Sequence, residues 1–583
     1  MNHATRNTHH TSRITVETAL WVLIVLIALA LRLSHLDAAP LNAQEAREAM
    51  LAWRAATGQG MPEAGYSPFL FAANALLFWL FGASDALARL WPALFGSVLA
   101  LTPFLLRQRI GRVGALAAGL YLAISPTALF ASRQLDGTVV AAVGGMAFLG
   151  GLACFLDTGE RLWLTLSAGG LALAVTASPS AYGLLLSLGL AGLILSRLTF
   201  HVSRFTVHAS RPFLVFLAVL LALSTGLGWN PAGLGAAGDL LPAWIARFGP
   251  VSDTVASPLA LVVVYEPLAL LFGLGGLVWA IRRGRRFGAL LGLWAGLGGL
   301  LLALMPGRAP VDALEVVLPL ALLTGIALEE IARSLQAYGA WLGEGLYILV
   351  VLILWAHAYL VLARYAQFGN PADLALALLV VVLQVMLAVI FALAMQVDAA
   401  LRGLVVGTGI VLLGLTLSAG WGVAHVRPAD PRELLVHQPT AVEVRDLVQT
   451  LRDLSWRETG MPTRLPFTLE ATPDSVLAWY LRDFSEARRT ERLESLDVGE
   501  IGPVLVTSRR DLSLAHVPDD VEFVGQDFAL RRSWDAAEVR CVWQWPLRCN
   551  AAVGWLLLRR TPSLPVADEW AALWLRQDTA VGE

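Results

Sequence analysis

From about residue 17 to residue 425 the chain consists of apolar runs separated by short polar breaks. A helix needs roughly 20 apolar residues to cross about 30 Å of hydrocarbon. The stretches that approach this length are 17–34, 67–83, 88–106, 113–130, 137–156, 162–178, 181–197, 212–228, 257–280, 287–305, 313–328, 342–363, 371–394 and 403–424. Their interior Gly and Pro residues are no objection, because packed helices in lipid tolerate both. The pattern predicts a mostly α protein built as a polytopic transmembrane bundle.

After Gly422 the pattern changes. Residues 426–583 mix charged and apolar positions as a water-soluble domain does. Ala441 to Leu454 carries a helical period, with Val444, Leu447, Val448 and Leu451 apolar between charges. Leu465–Leu469, Ile501–Thr507, Val521–Leu530 and Val553–Leu558 read as strands, and Ser475–Phe484 as a helix. The expected organisation is a membrane domain over 1–425 and a small α/β domain over 426–583.

Basic residues collect in short loops and fix the expected orientation. Arg107-Gln108-Arg109-Ile110-Gly111-Arg112, the stretch Arg197 to Arg211, Arg282-Arg283-Gly284-Arg285-Arg286, and Arg6 with Arg13 should all face the cytoplasm. An even number of crossings must then separate the N-terminus from residue 107, yet three candidate runs lie between. The run at 67–83 starts at Ser67-Pro68 and ends in the tight Phe81-Gly82-Ala83-Ser84-Asp85 turn, so it is read as re-entrant or juxtamembrane. Residues 35–87 become one large outer element, about 13 crossings remain, and 426–583 falls outside a plasma membrane.

Composition agrees with this reading. Hydrophobic residues make up 57% of the 583 and charged residues 15%, against about 25% charge in a soluble domain. The net charge of -2 gives nucleic acid no electrostatic footprint. There is no phosphate-cradling glycine loop, and no HExxH or CxxC. Cys541 and Cys549 form a short-loop disulfide if the tail is extracytoplasmic, and are free thiols if it is cytosolic.

Ionisable residues at membrane faces need a reason to be there. The first outer element holds Asp37, Gln44, Glu45 and Glu48. Glu45 and Glu48 are three apart on one helix face, a spacing that suits a general base or a divalent cation, and equally a solvated interfacial helix. Arg133 and Asp136 fit either a surface ion pair or a phosphate grip beside a carboxylate. Arg308 is a second candidate grip, or an interfacial anchor. Glu266, expected inside an apolar helix, should face the bundle interior or a wet cavity.

The segments Arg32 to Ala46, Tyr66-Ser67-Pro68-Phe69-Leu70 and Ala88-Arg89-Leu90-Trp91-Pro92-Ala93-Leu94-Phe95-Gly96 resemble polytopic GT-C glycosyltransferases. The protein-mannosyltransferase-like and aminoarabinose-transferase-like group is the nearest in pattern. Ile124-Ser125-Pro126 with Ser132-Arg133-Gln134-Leu135-Asp136 looks like that group's next block. The resemblance spans roughly the first 330 residues, and its order of motifs is more specific than any one of them.

What the resemblance implies is an inverting transfer of sugar from a polyprenyl-phosphate donor to a glycan, lipid or protein acceptor on the outer side. An acid of the first outer loop is the expected base. The family's acidic pair after the proline falls here on Gln44 and Glu45, and Gln cannot take a proton. Glu45 is therefore the expected base, assisted by Asp136 or Asp37. Arg133, Arg308, Gln44, Glu48, Tyr66 and Glu266 are the expected substrate contacts. A divalent cation is compatible with this set. The competing readings are a transporter or lipid flippase, suggested by Gly-interrupted helices and Glu266 at membrane depth, and an inactive scaffold, suggested by Gln44.

Overall fold

The computed structural model describes residues 15–196, 210–251, 256–337, 341–394, 397–493, 501–510, 523–539, 541 and 549–577. Arg6, Arg13 and most of the basic stretch from Arg197 to Arg211 lie outside the described residues.

A helical bundle occupies the chain to Val426. Among the described residues eight helices are long and apolar enough to span a membrane, from Val16–Leu33 to Val397–Val426. Pro258–Tyr265 and Pro267–Arg282 meet at 101° and make a ninth span if the bent pair crosses as one. Pro68–Phe81, Arg112–Ile124, Arg161–Ala177, Ser180–Ser196 and Ser210–Ser224 are apolar but shorter. This is a multi-pass membrane protein. A count of about 13 crossings is reached when four of the shorter helices cross and Pro68–Phe81 does not.

Two runs expected to be continuous are broken at proline. The 113–130 run splits into Arg112–Ile124 and Pro126–Ala131, with the Ser125 hydroxyl capping the second piece through Ala128 N at 3.2 Å. The 257–280 run breaks at Glu266, which lies between helices rather than inside one. Pro lacks an N–H and clashes with the preceding turn, so each X-Pro step starts a new helix. Small residues let the remaining helices close. A Cβ on Gly144 would meet the Gly170 carbonyl at 2.5 Å, and one on Gly114 the Gly325 carbonyl at the same distance.

Helix Glu443–Thr459 and a five-stranded sheet form the C-terminal region. The strands are β1 (Phe467–Glu470), β2 (Ala487–Thr490), β3 (Val504–Thr507), β4 (Phe523–Ser533) and β5 (Val566–Arg576), in the order β2-β1-β3-β5-β4. β1 pairs parallel with β2 and β3; β5 pairs antiparallel with β3 and β4. The run Val553–Leu558, expected as a strand, lies in the helix Asn550–Leu558. The helix expected over Ser475–Phe484 is limited to Val476–Tyr480.

This region is fastened to the bundle by buried polar contacts. Glu433, fully buried, accepts from Tyr265 Oη at 2.6 Å, Arg427 Nε at 2.7 Å and Arg559 Nε at 3.0 Å. The Thr440 hydroxyl donates to the Leu41 carbonyl at 2.7 Å, and Leu41 N donates to Tyr480 Oη at 2.8 Å. Cys541 and Cys549 are joined by a disulfide, and Cys549 N donates to Tyr365 Oη at 3.0 Å.

Candidate functional site

Asn42 starts helix Ala43–Ala56 with a reciprocal cap: its side chain accepts from Glu45 N at 3.0 Å, and Glu45 Oε2 accepts from Asn42 N at 3.0 Å. This cap points Glu45 into the protein, where it is 2% exposed. There it meets Arg89 in a two-pronged pair, Nε to Oε1 at 2.8 Å and Nη2 to Oε2 at 2.6 Å. Leu135 N donates to Oε1 at 2.7 Å. Arg89 also donates to the carbonyls of Leu36, Ala39 and Pro40 at 2.9, 2.8 and 3.1 Å. The pair therefore ties the turn after the first helix to the Gln134–Asp136 loop.

That turn, that loop and a segment of the C-terminal region enclose a cavity of about 130 Å³. Asn42, Gln44, Glu45, Gln134 and Asp136 give it polar walls, and Pro310, His437 and Gln438 close it from the other side. Gln44 is exposed, whereas Asn42 Nδ2 donates to Gln134 Oε1 at 3.2 Å.

The three expected catalytic acids fare differently. Both oxygens of Glu45, the expected base, already take two donors each, so all four of its acceptor positions are filled in this structure. Asp37 is exposed and lines a different cleft, so it does not join the group. Asp136 lines the cavity, accepts from Thr138 N at 2.6 Å, and among the described residues forms no ion pair. Burial pushes its pKa up from the ordinary carboxylate value, and Asp312 adds to this.

Glu48 lies one turn beyond Glu45. Its Oε2 is sealed from solvent and has no hydrogen-bond partner. Burial lifts its pKa to about 7, with a further push from Asp136. Next to this pair stands a polar chain: Ser180 Oγ donates to Asp312 Oδ1 at 2.6 Å, and Arg247 Nη1 reaches Asp312 Oδ2 at 3.1 Å. Gly307 N donates to the Arg247 carbonyl at 2.8 Å, which brings Arg247 beside Arg308. Arg308 itself donates to the Met305 carbonyl at 3.0 Å and lies in the same turn as Ala309 and Pro310 of the cavity wall.

The remaining expected contacts are structural in part. Arg133 donates to the carbonyls of Leu31, Arg32, Ser34 and His35 at 3.2, 3.0, 2.7 and 2.6 Å. It thereby closes the C-terminus of helix Val16–Leu33. Tyr66 Oη accepts from Asn230 Nδ2 at 2.8 Å; burial pushes its pKa up, and the charges of Asp239 and then Glu48 add to this. Glu266 is fully buried and sits away from the cavity: Ser125 Oγ and Thr127 N donate to Oε1 at 2.7 and 2.9 Å, and Tyr121 Oη donates to Oε2. Among the described residues no cluster of three or more His, Cys, Asp or Glu is arranged to hold a metal ion.

Sequence reasoning missed Arg89, Arg247 and the wall at 428–439. A lone Arg at the head of the apolar run 90–99 was the available signal for Arg89, since a charge there must have a buried partner.

Two crystal structures of ArnT, the aminoarabinose transferase of Cupriavidus metallidurans, superpose on this architecture. The form bound to undecaprenyl phosphate matches with a TM-score of 0.55 at 18% identity, over 84% of this chain and 93% of that one. The apo form gives 0.54 at 18% identity over 85% and 94%. The fold is that of the GT-C glycosyltransferases. The oligosaccharyltransferase of Archaeoglobus fulgidus is more distant, with a TM-score of 0.46 at 12% identity over 81% of this chain and 63% of its own. No protein-family model matches the sequence, and no curated protein matches it either. The GT-C architecture thus covers far more than the first 330 residues from which it was read.

Proposed function

We propose that the protein transfers a sugar from a polyprenyl-phosphate donor to an acceptor hydroxyl or amine in the Asp136 cavity. The observation that carries this reading is Asp136 itself: an acid that among the described residues forms no ion pair, on the wall of a cavity, in a GT-C fold. In this reaction the acceptor attacks the anomeric carbon, the carbon–oxygen bond to phosphate breaks, and the acceptor proton passes to Asp136. Direct displacement inverts the anomeric centre. Glu48, kept partly protonated by burial, takes the charge load from its neighbour. Arg247 and Arg308 lie where they can offset the negative charge of the departing polyprenyl phosphate. Glu45 with Arg89 and Arg133 hold the loops in place.

The polyprenyl donor draws support from the undecaprenyl phosphate bound by ArnT. The proposed side is extracytoplasmic, with residues 426–583 as an outer domain closing the cavity. The Cys541–Cys549 disulfide supports this, because such bonds persist in oxidising compartments. So does the position of the basic loops, which belong on the cytoplasmic face.

The test is turnover by the purified protein with a panel of polyprenyl-phosphate sugars, followed as release of polyprenyl phosphate. Asp136→Asn should lower turnover by at least about 100-fold, the usual scale for a general base, with the melting temperature unchanged. Turnover that survives Asp136→Asn would overturn the assignment. A complete panel without turnover would favour the inactive scaffold that Gln44 suggests.

A further inference from the structure

A second, larger cleft of about 600 Å³ lies where helix Glu443–Thr459 faces the turn after Pro68–Phe81. Its size falls within the range of small-molecule sites, about 300–1,000 Å³, whereas the Asp136 cavity does not reach it. Asp37 lines the cleft while Ala39 and Pro40 line the cavity. Three residues span at most about 11 Å of chain, so one short turn is the partition between the two.

The chemistry of the cleft is specific. Asp37, Asp85 and Asp483 supply three carboxylates, and Arg445, Arg452 and Arg482 supply three guanidinium groups. The formal charges cancel, so neither a strong anion nor a cation is the favoured guest. A neutral ligand with alternating donors and acceptors is. Arg445, Gln449 and Arg452 are four and three residues apart and share one face of their helix.

The walls are pre-set. Asp85 accepts from Trp479 Nε1 at 2.9 Å, from Tyr480 Oη at 2.7 Å and from Arg445 Nη2 at 3.2 Å. Arg482 lies over the buried Trp479 ring at 3.8 Å and donates to the carbonyls of Trp479 and Ala83 at 2.6 and 2.7 Å. Its side chain is 10% exposed, yet Nε, sealed from solvent, makes no hydrogen bond and has only Asp483 Oδ1 at 3.7 Å. Among the described residues Arg452, partly buried at the same cleft, has neither a hydrogen bond nor an ion pair.

We propose that this cleft is a carbohydrate-binding site, with Arg452 and Gln449 donating to sugar oxygens, Asp37 and Asp483 accepting from sugar hydroxyls, and Arg482 stacked on Trp479 as a fixed wall. Vicinal diols need this alternation of donor and acceptor. Its place beside the cavity makes its guest the glycan acceptor, a clause that rests on the proposed transferase function; the binding itself does not.

The experiment exposes full-length protein in lipid nanodiscs to a printed array of several hundred glycans, with no donor present. Inorganic pyrophosphate is added in a parallel competition arm. The wild type should retain a defined set of glycans, undisturbed by pyrophosphate. Arg452→Ala and Gln449→Ala should each lower retention at least about tenfold, and Asp136→Asn should leave it unchanged. An array without retained glycans, retention indifferent to both cleft variants, or displacement by pyrophosphate would overturn the proposal. Failure of Asp136→Asn to affect turnover would overturn the catalytic assignment while leaving this one standing.

Discussion

Glu45 and Glu48 are three residues apart on one helix and have opposite surroundings. Glu45 is matched donor for donor by Arg89, Asn42 N and Leu135 N, and Glu48 has an oxygen sealed away without a partner. Removing one member of a buried pair costs roughly 3–5 kcal/mol, because the other charge is left stranded. Arg89→Ala and Glu45→Gln should therefore lower the melting temperature markedly, while Gln44→Ala leaves it in place. Equal melting of Glu45→Gln and wild type would show that the pair does not hold the turn. Glu48 predicts a pH effect. Burial lifts its folded pKa to about 7, above the ordinary 4.5 of a free glutamate, so the folded state keeps a proton that the unfolded chain gives up. Stability should fall as pH rises between those values and level off above them, and Glu48→Gln should flatten that slope in melts from pH 5 to pH 8. An unchanged slope would contradict the burial argument. Spacing placed both acids on one face, but it could not say which one Arg89 would claim, because that depends on a contact across 44 residues of chain.

The element that governs the site is the short helix Pro126–Ala131, which leads directly into Arg133 and Asp136. Glu266 holds its start through Ser125 and Thr127, and joins it to the bend between Pro258–Tyr265 and Pro267–Arg282. Glu266→Ala should strand these buried donors and destabilise the protein by about 2 kcal/mol or more. It should also reduce turnover without touching substrate, whereas Glu266→Gln, which can still accept from Ser125 or Thr127, should recover much of both in melts and kinetics. Turnover and melting temperature both unmoved in Glu266→Ala would break the link. The spans were legible because length and apolarity are the signal that lipid imposes. The two breaks were less so: hydropathy runs straight through Ser125-Pro126 and Glu266-Pro267, and only the proline steric argument marks them. Val553–Leu558 failed for another reason, since a short apolar run has no period that separates strand from helix.

At the scale of the whole molecule, the C-terminal region supplies one wall of the cavity. His437 and Gln438 wall the cavity, and Glu433 anchors that wall to Tyr265. Deleting 426–583 should leave membrane helices that insert yet lose turnover, and a cysteine placed in 46–60 should react from the same side of intact cells as one placed in the tail. Labelling from opposite sides would end the proposed topology. Contacts between the bundle and the tail were beyond the sequence reading, because loops that meet across 399 residues, as Leu41 and Thr440 do, leave no local pattern. In the proposed reaction the site recognises a lipid-linked phosphate. Native mass spectrometry of the purified protein with equal amounts of undecaprenyl phosphate and undecaprenol tests it most directly. The account predicts retention of the phosphate alone, weakened at least about tenfold by Arg247→Ala combined with Arg308→Ala; equal retention of the phosphate and the alcohol would contradict it.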